Sequence, residues 1–404
     1  MEGLLELALG RIRQASSLGL LCLLLIMYLG EGGKPRVLVV GGSGRVGGSA
    51  VKSLLQSGRV EVEVGGRDAS NWKGGANFVA MDLFDTQHSA LLLPQYDLVV
   101  NTAGPFQGLD DPTLLRSCLL AGVPYVDVCD DIKLSKIARS APFQELAQTK
   151  KTAAIISAGI WPGVSSLLAQ RLLQDVSPTD EQVDVSFTFF TAGSGGAGET
   201  ILTATFLLLG EDVMVYQGGK PVFFKTATSP VTVDFGPGIG SREAVRLNLI
   251  ECESCFQSSK ESFPKLSVET RFGTAPRLWN RLFSTMALAL PQTMLQNRRA
   301  MKALAAVSLP MVRFVDSFVG SANGMHVQVI TPAGTRTALL THKDLEAEVG
   351  ACLSDFALHL LELSSRGGER SHGVWFPEEI PDAGVRAAIL SASQARGLTN
   401  VGDW

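Results

Sequence analysis

The sequence predicts an α/β fold, with a doubly wound parallel sheet in the first part of the chain and a second α+β domain carrying a mostly antiparallel sheet. Two observations support this. Residues 34–158 alternate short, β-branched apolar runs with helical stretches, as a parallel sheet with right-handed crossovers requires. The first run, residues 36–40, leads directly into a glycine-rich turn followed by a helix. This combination is typical of a Rossmann domain.

The first domain contains six predicted strands, each bounded by turn residues. They cover residues 36–40, 60–64, 77–81, 96–101, 125–129 and 153–158, and helices are predicted over 49–57, 112–120 and 143–149. In the second domain, strands are predicted over 183–191, 221–225, 232–235, 266–272 and 325–330, and helices over 164–173, 200–209, 282–290, 301–318 and 349–363. A second glycine-rich stretch, residues 193–198, is either a ligand-facing loop or a flexible linker. We therefore divide the chain into residues 1–33, 34–158, 159–375 and 376–404.

The turn after the first strand carries glycines at fixed positions. Gly42, Gly44 and Gly47 fill the G-x-G-x-x-G pattern. In dinucleotide-binding domains these glycines allow a tight turn, close approach of a pyrophosphate and close packing of helix on strand. An ordinary βα turn is the alternative, but the position between a strand and a helix favours a nucleotide site.

Two residues compete for the ribose end of that nucleotide. Arg67 follows the second strand, where an NAD enzyme usually has an acid, and its guanidinium can pair with a 2′-phosphate. Glu63 lies nearby, but alternation places it inside the strand, so we favour Arg67 and predict NADP(H) over NAD(H). Asp82 follows the third strand and is expected near the adenine ring.

The fourth predicted strand runs into Ala103, Gly104 and Pro105. A Gly-Pro pair at the carboxyl end of a strand makes a rigid bend over the crevice in which open α/β sheets bind ligands. We expect these residues to form the wall beside the nicotinamide, although a simple turn would use the same residues.

Candidate catalytic residues follow the fifth and sixth strands. Asp127 and Asp130 supply carboxylates for proton transfer, and Trp161 could cover the nicotinamide ring. Since three carboxylates including Asp131 lie close together, we expect at least one to have a shifted pKa or a cationic partner. Alternatively, Asp130 and Asp131 cap the next helix. Cys129 suggests thiol chemistry on an aldehyde, but no histidine lies near it in sequence to act as the base.

Composition narrows the function classes. The chain has 404 residues, a net charge of −4 and 46% hydrophobic residues, so no general basic field points to nucleic acid. Six cysteines in this length do not form a disulfide framework, and the single C-x-x-C, Cys252 and Cys255, lacks a second pair at zinc-ligand spacing. The five histidines are scattered, so no metal site is predicted.

Two segments raise the question of membranes. Residues 18–29 are almost uninterruptedly apolar, which is too short for a comfortable span but fits a targeting segment or an anchor. Residues 277–320 combine apolar helical stretches with six Arg and Lys against one acid, and two prolines, Pro291 and Pro310, are expected to divide them. Such helices either lie at a membrane surface or pack in the core with a solvated basic face.

Several motifs, taken together and in order, resemble the saccharopine dehydrogenase-like family of NADP-dependent oxidoreductases. They are VLVVGGSGRVGG, VGGRD, DLVVNTAGPFQG, GVPYVDVCDD and AGIWPGVSS. Further stretches, FFTAGSGGAGETIL, RFGTAP and GVWFPEE, resemble a subgroup from plants and cyanobacteria, so the similarity covers nearly everything after residue 34.

The resemblance implies a Rossmann domain, a second α/β domain, and chemistry at a carbon–nitrogen bond through an imine that the nicotinamide reduces. It places NADP(H) at a set of positions on this chain, with the substrate against Asp127, Trp161 and Pro162. The cofactor positions are Gly42, Ser43, Gly44, Arg45, Val46, Arg67, Ala103 and Gly104. It also implies an organellar location, with a cytoplasmic or membrane-associated protein as the alternatives.

The sequence therefore predicts an NADP(H)-dependent oxidoreductase that acts on a C=N or C–N bond of a small amino-acid-like or polyamine-like molecule. No nucleic acid partner is expected, whereas a homodimer and a peripheral membrane contact are partners to be tested. The rival prediction is an NADP(H)-binding sensor or scaffold that does not turn over substrate.

Overall fold

Seven parallel strands form the first sheet in the part of the chain that the computed structural model describes, residues 33–177, 182–193, 198–366 and 372–401. They are β1 (Arg36–Val40), β2 (Glu61–Gly66), β3 (Asn77–Ala80), β4 (Leu98–Asn101), β5 (Tyr125–Asp127), β6 (Ala153–Ile155) and β15 (Gly373–Trp375). Their order is β3-β2-β1-β4-β5-β6-β15, and every pair is parallel. The order reverses between β1 and β4, which is where open α/β sheets bind ligands.

Helices cover both faces of this sheet, so its central strands are apolar along their whole length. Val37, Leu38, Val39, Val99 and Val100 have no exposed surface. The helices between the strands are α1 (Arg45–Ser57), α2 (Thr86–Leu92), α3 (Thr113–Ala121), α4 (Ile132–Ala138) and α5 (Ala141–Thr149). The predicted Rossmann domain is confirmed.

The second sheet is mixed and mostly antiparallel, as predicted. Its strands are β7 (Asp184–Ala192), β8 (Asp212–Gln217), β9 (Lys220–Lys225), β10 (Val231–Asp234), β11 (Ser241–Arg246), β12 (Ser267–Ala275), β13 (Ala322–Thr331), β14 (Gly334–His342) and β16 (Leu398–Val401). The main order is β10-β11-β12-β7-β13-β14-β16, and β8 joins β12 to β9. β7 and β12 run parallel, whereas the other pairs are antiparallel.

The helices of the second half include two that are long. They are α6 (Val164–Leu173), α7 (Glu199–Leu208), α8 (Ile250–Ser259), α9 (Arg277–Ala289), α10 (Gln292–Leu295), α11 (Arg298–Val319), α12 (Leu345–Arg366) and α13 (Ala383–Arg396). α12 packs closely on α1: a Cβ on Gly350 would lie 2.5 Å from the Ser49 Cβ. After α12, β15 adds the last strand to the first sheet, so the chain returns to this sheet at residues 373–375. Both sheets lie within one compact unit, Arg36–Trp404. The boundary between the two domains at residue 158 stays a prediction.

Several local expectations need adjustment. α1 begins at Arg45, four residues before the predicted start, with Gly44 as its N-cap. Pro310 does not divide the basic segment, because α11 continues through it, whereas Pro291 caps α10. The apolar run of residues 18–29 and most of the glycine-rich stretch 193–198 lie outside the described residues. Among the described helices, none has the length and apolar character needed to cross a membrane.

Candidate functional site

The turns after β1 and β4 lie against each other at the point where the strand order reverses. The Thr102 backbone N–H donates to the Val40 carbonyl at 2.8 Å, and the Ala103 N–H donates to Asn101 Oδ1 at 3.0 Å. A Cβ on Gly41, whose φ is +81°, would lie 2.8 Å from the Ala103 nitrogen. The two turns therefore form one edge of a crevice, with Ala103 and Gly104 beside the glycine fingerprint.

The three glycines of the fingerprint have different surroundings. A Cβ on Gly47 would lie 2.3 Å from the Gly41 carbonyl oxygen, and a Cβ on Gly42 would lie 2.9 Å from the Val64 side chain. A Cβ on Gly44 would meet only the Gly41 oxygen, at 3.2 Å. Gly42 and Gly47 are thus needed for packing, whereas Gly44 leaves open space above the N-terminus of α1. The first turn of this helix, with Ser43, Arg45 and Val46, is suited to bind a pyrophosphate.

The ribose end of the crevice lies at the end of β2. Arg67 is exposed there, and Asp68 accepts the Ser70 backbone N–H at 2.9 Å. Glu63 lies within β2 and accepts hydrogen bonds from Tyr96 and Arg36. The Glu63 carboxylate is therefore already hydrogen-bonded within the strand, away from the strand end. This favours Arg67 as the ligand of the 2′-phosphate.

Asp82 follows β3 and is exposed on the same side of the crevice. Its carboxylate accepts the Phe84 backbone N–H at 3.0 Å, which shapes the turn after the strand. This is the neighbourhood predicted for adenine, and the contact of Asp82 with the cofactor stays a prediction.

A cavity of about 530 Å³ lies at the carboxyl ends of the first sheet, and elements of the second half of the chain form its other walls. Gly104 and Pro105 form its wall on the cofactor side, and Asp130, Trp161 and Pro162 line it as well. The structure therefore brings together six of the predicted site residues, since Val46 lines the cavity as well. A cavity of this size accommodates a small organic molecule beside a nicotinamide.

Trp161 is held in place by other rings. Its ring centroid lies 5.3 Å from that of Phe189 on β7 and 5.2 Å from that of His342 on β14. Burial lowers the pKa of His342 to about 4, so this imidazole is neutral near pH 7. The indole is thus a rigid apolar wall of the cavity.

Asp130 is the predicted carboxylate that reaches the cavity. The Gln107 side-chain amide donates to Asp130 Oδ1 at 2.8 Å. Burial raises the pKa of Asp130 to about 6, and the charges of Asp131 and Asp127 add to this rise. The side chain can therefore gain and lose a proton close to neutral pH.

A second carboxyl, Glu251 of α8, lines the same cavity and was not predicted. It is 1% exposed and accepts a hydrogen bond from the Ser165 hydroxyl at 3.0 Å. Burial raises the pKa of Glu251 to about 7, with a further contribution from the charge of Asp130. Only the packing of α8 against α6 brings it to the site, so no local signal could have identified it. Gln107, in contrast, lies within the GPFQG motif.

Asp127 does not line this cavity. The Tyr125 hydroxyl donates to Oδ2 at 3.0 Å, and the backbone N–H groups of Cys129 and Ser157 donate to Oδ1 at 3.0 and 2.8 Å. Burial raises the pKa of Asp127 to about 6, and these bonds oppose the rise. Asp127 ties the ends of β5 and β6 together, which does not favour the catalytic role predicted for it.

Asp131 and Cys129 serve the local structure. Asp131 is the N-cap of α4 and accepts the Leu134 backbone N–H at 2.6 Å, so the capping alternative is correct for Asp131 and not for Asp130. The Ser135 hydroxyl donates to Cys129 Sγ at 3.5 Å, and burial raises the pKa of this thiol well above its usual range. The thiol is protonated at neutral pH, which argues against thiolate chemistry.

Arg45 forms an ion pair that the sequence did not suggest. Its Nε lies 3.2 Å from Oε1 of Glu346, the second residue of α12, which is 2% exposed and lines the cavity. Burial raises the pKa of Glu346. The pair joins the fingerprint turn to α12 across the crevice.

The geometry of the glycine turn, the open space at Gly44 and the exposed Arg67 fit NADP(H), and comparison with known proteins agrees. Residues 37–161 match a protein family described as the saccharopine dehydrogenase NADP-binding domain. No curated protein sequence matches the chain. The chain thus carries an NADP-binding domain of this kind, and NADP(H) is its cofactor.

The fold is shared with a solved structure. Apo saccharopine dehydrogenase (L-Glu forming) from Saccharomyces cerevisiae aligns with a TM-score of 0.58 at 13% identity, covering 89% of this chain and 97% of the yeast chain. An engineered D-amino acid dehydrogenase bound to NADP⁺ gives a TM-score of 0.47 at 13% identity, covering 88% and 96%. Diaminopimelate (DAP) dehydrogenase from C. glutamicum gives 0.46 at 13% identity, covering 88% and 95%.

Taken together, the family match covers the NADP-binding domain, residues 37–161, and the yeast structure shows a shared fold over most of the chain. The expected resemblance is confirmed at this level. The plant and cyanobacterial subgroup, the organellar location and the homodimer stay predictions.

Proposed function

We propose that this protein is an NADP(H)-dependent oxidoreductase that transfers a hydride at a C=N or C–N bond. The observation that carries the proposal is the presence of Asp130 and Glu251, with pKa values of about 6 and 7, in the cavity that Gly104 and Pro105 border. When bound, NADPH supplies the hydride that adds to the imine carbon, leaving NADP⁺. The residues of this chain then have to supply the one proton that the imine nitrogen takes up.

Asp130 and Glu251 are suited to that task. Reduction of an imine requires protonation of its nitrogen, and a carboxyl with a pKa near the working pH can donate that proton and later stabilise the ammonium product. Gln107 holds the Asp130 carboxylate, and Ser165 holds that of Glu251. Trp161 limits the access of water on the side of the second sheet.

The charges of the cavity distinguish between the two substrate types implied by the resemblance. The charged side chains among the described lining residues are Asp130, Glu251, Asp316 and Glu346, and no Lys or Arg is among them. A free amino acid would bring a carboxylate into this acidic site without a cationic partner, which is unfavourable. A polyamine-like amine is attracted instead. We therefore propose that the substrate presents an amine or imine without a neighbouring carboxylate.

The test follows nicotinamide absorbance in solutions of the full-length protein. One assay contains an amine and NADP⁺, and the other contains the corresponding carbonyl compound, an amine and NADPH. We expect turnover with amines, and a loss in kcat of about 100-fold or more in Asp130→Asn or Glu251→Gln. Glu253→Gln is the matched control. Glu253 is buried on the same helix but lies outside the cavity, where it accepts a hydrogen bond from the Tyr216 hydroxyl. NADPH binding without turnover of any amine or imine would contradict the proposal and favour the sensor alternative.

A further inference from the structure

The cavity has an acidic end and an apolar end. Asp130 and Glu251 lie at the end formed by the first sheet and α8. Although Thr200, Thr205, Trp279, Ser308 and Asp316 also line this part, the wall away from the carboxylates is built by α7, α9 and α11 mostly from apolar side chains. These include Leu202, Phe206, Phe283, Met286, Leu304 and Val312. If the carboxylates bind an amine head group, the rest of the substrate contacts these apolar side chains. Such a wall stabilises an apolar group and not a polar one.

The apolar end opens to the surface between α9 and α11. Leu282 of α9 and Met311 of α11 both line the cavity and are nonetheless 40% and 52% exposed. α9 packs against β12 and α11 packs against α7, and the Phe283 ring of α9 also lies 6.3 Å from the Phe206 ring of α7. We call this opening the mouth of the cavity.

Exposed apolar side chains continue outward from the mouth. Val307, Phe314 and Phe318 are 80%, 67% and 75% exposed and lie with Met311 along one face of α11, because their spacing is close to whole helical turns. Leu278 of α9 is 66% exposed beside Leu282. Six large apolar groups around one opening are unusual for a surface that faces only water.

Basic residues lie on the same two helices as this apolar face, and one of them, Lys302, pairs with Glu199 at 3.8 Å. Arg277, Arg281, Arg299, Lys302 and Arg313 are exposed on α9 and α11, in a chain whose net charge is −4. The acid on these two helices, Asp316, lines the cavity. An apolar helix face with Arg and Lys on the same helices complements an anionic lipid surface, where the side chains enter the acyl region and the cations meet the headgroups.

We propose that the mouth docks on an anionic lipid surface and admits a substrate whose amine or imine head carries a long apolar chain. The head reaches Asp130 and Glu251, and the chain lies along α7, α9 and α11. This inference rests on the proposed function for the reacting end of the substrate and adds its apolar part and the place from which it enters.

Two measurements on the full-length protein test the inference. In the first, a polarity-sensitive dye is attached at Phe318→Cys and, as a matched control, at Leu91→Cys, which lies 78% exposed on α2. Vesicles of phosphatidylcholine with phosphatidylglycerol should shift the emission to the blue only at position 318, and vesicles of phosphatidylcholine alone should do so much less. The unchanged chain, treated with the same dye, gives the background. Anchoring through residues 18–29 alone would leave both labels in water and would overturn the docking.

In the second measurement, dodecylamine and butylamine are compared as ligands in the presence of NADP⁺. Burial of the longer chain should make dodecylamine bind at least about 100-fold more tightly. Met311→Glu at the mouth should remove most of this difference between the two amines. Equal affinity for the two amines would overturn the inference and leave the proposed function intact. Tight binding of dodecylamine without turnover of any amine would instead support the apolar site and contradict the proposed function.

Discussion

The Arg298 guanidinium donates a hydrogen bond of 2.9 Å from Nη2 to the carbonyl oxygen of Pro105. Arg298 is the first residue of α11, which forms one side of the mouth, and Pro105 forms the cavity wall on the cofactor side. One side chain thus connects the entrance helix to the loop expected beside the nicotinamide. The two ends of the cavity are mechanically linked through this bond.

Removal of this link should loosen the cofactor loop without unfolding the protein. Arg298→Ala is expected to weaken NADPH binding by about three- to tenfold, because an intramolecular hydrogen bond contributes about 0.5–1.5 kcal/mol to the position of the loop that it holds. The neighbouring Arg299 is exposed, and Arg299→Ala serves as the matched control. Titration with NADPH measures the effect, and equal affinities of the two variants would show that the link is not needed for binding.

Arg67 should determine the choice between the two nicotinamide cofactors. Arg67→Ala is expected to weaken NADPH binding by about 10- to 100-fold, because a charge-assisted pair with the 2′-phosphate is lost, and to change NADH binding by no more than about twofold. Titrations with both cofactors check this, with Lys52→Ala on the outer side of α1 as the control. Equal losses for both cofactors would mean that Arg67 is structural.

Gly44 and Gly47 should respond differently to an added side chain. Gly47→Ala places a Cβ 2.3 Å from the Gly41 oxygen and 2.5 Å from Thr102 Oγ1, so it should destabilise the protein by about 1–3 kcal/mol. Gly44→Val meets less obstruction, with one contact at 3.2 Å, and should leave Tm nearly unchanged while abolishing binding of NADPH and NADH. Thermal unfolding and cofactor titration separate the two effects. Retained binding in Gly44→Val would contradict the pyrophosphate site.

Glu251 should make stability depend on pH. Burial raises its pKa from 4.5 to about 7, so between these values the folded state holds a proton that the unfolded state has released, and stability falls as the pH rises through this window. Glu251→Gln should therefore be more stable than the unchanged protein at about pH 9, by up to about 3 kcal/mol, and similar to it below about pH 4.5. Urea unfolding at both pH values checks this; a constant difference would show that the carboxyl does not titrate as expected.

The local features of the site could be predicted from the sequence. Gly42, Gly44 and Gly47 lie within six residues, and their function depends on a strand, a turn and a helix that follow one another in the chain. Arg67 was preferred to Glu63 because alternation places Glu63 inside the strand, and the structure shows Glu63 bonded to Tyr96 there. For the glycines, the interactions that decide the role act between neighbours in sequence, and for Glu63, alternation along one strand already indicates its position.

Asp127 shows how far this reasoning extends. Residues 125 and 127 share one side of β5, so the carboxylate points with Tyr125 away from the cavity, whereas Asp130 lies beyond the strand end and reaches it. Alternation within the strand contained this information, but the strand was predicted to extend to residue 129. The true end of β5 at Asp127 is what separates the roles of the two carboxyls.

The order of strands and turns, the cofactor and the positions of its binding residues follow from short-range patterns that each segment carries in its own sequence. The cavity does not, because its walls come from α7, α8, α9, α11 and α12 as well as the first sheet, and these elements meet through packing alone. The meeting of Glu251 with Asp130 and of Arg298 with Pro105, and the exposure of an apolar face around the mouth, depend on which distant surfaces become buried. Amphipathic helices such as α9 and α11 have the same sequence pattern whether their apolar side meets a core or a lipid surface, and the packing of the folded chain distinguishes the two.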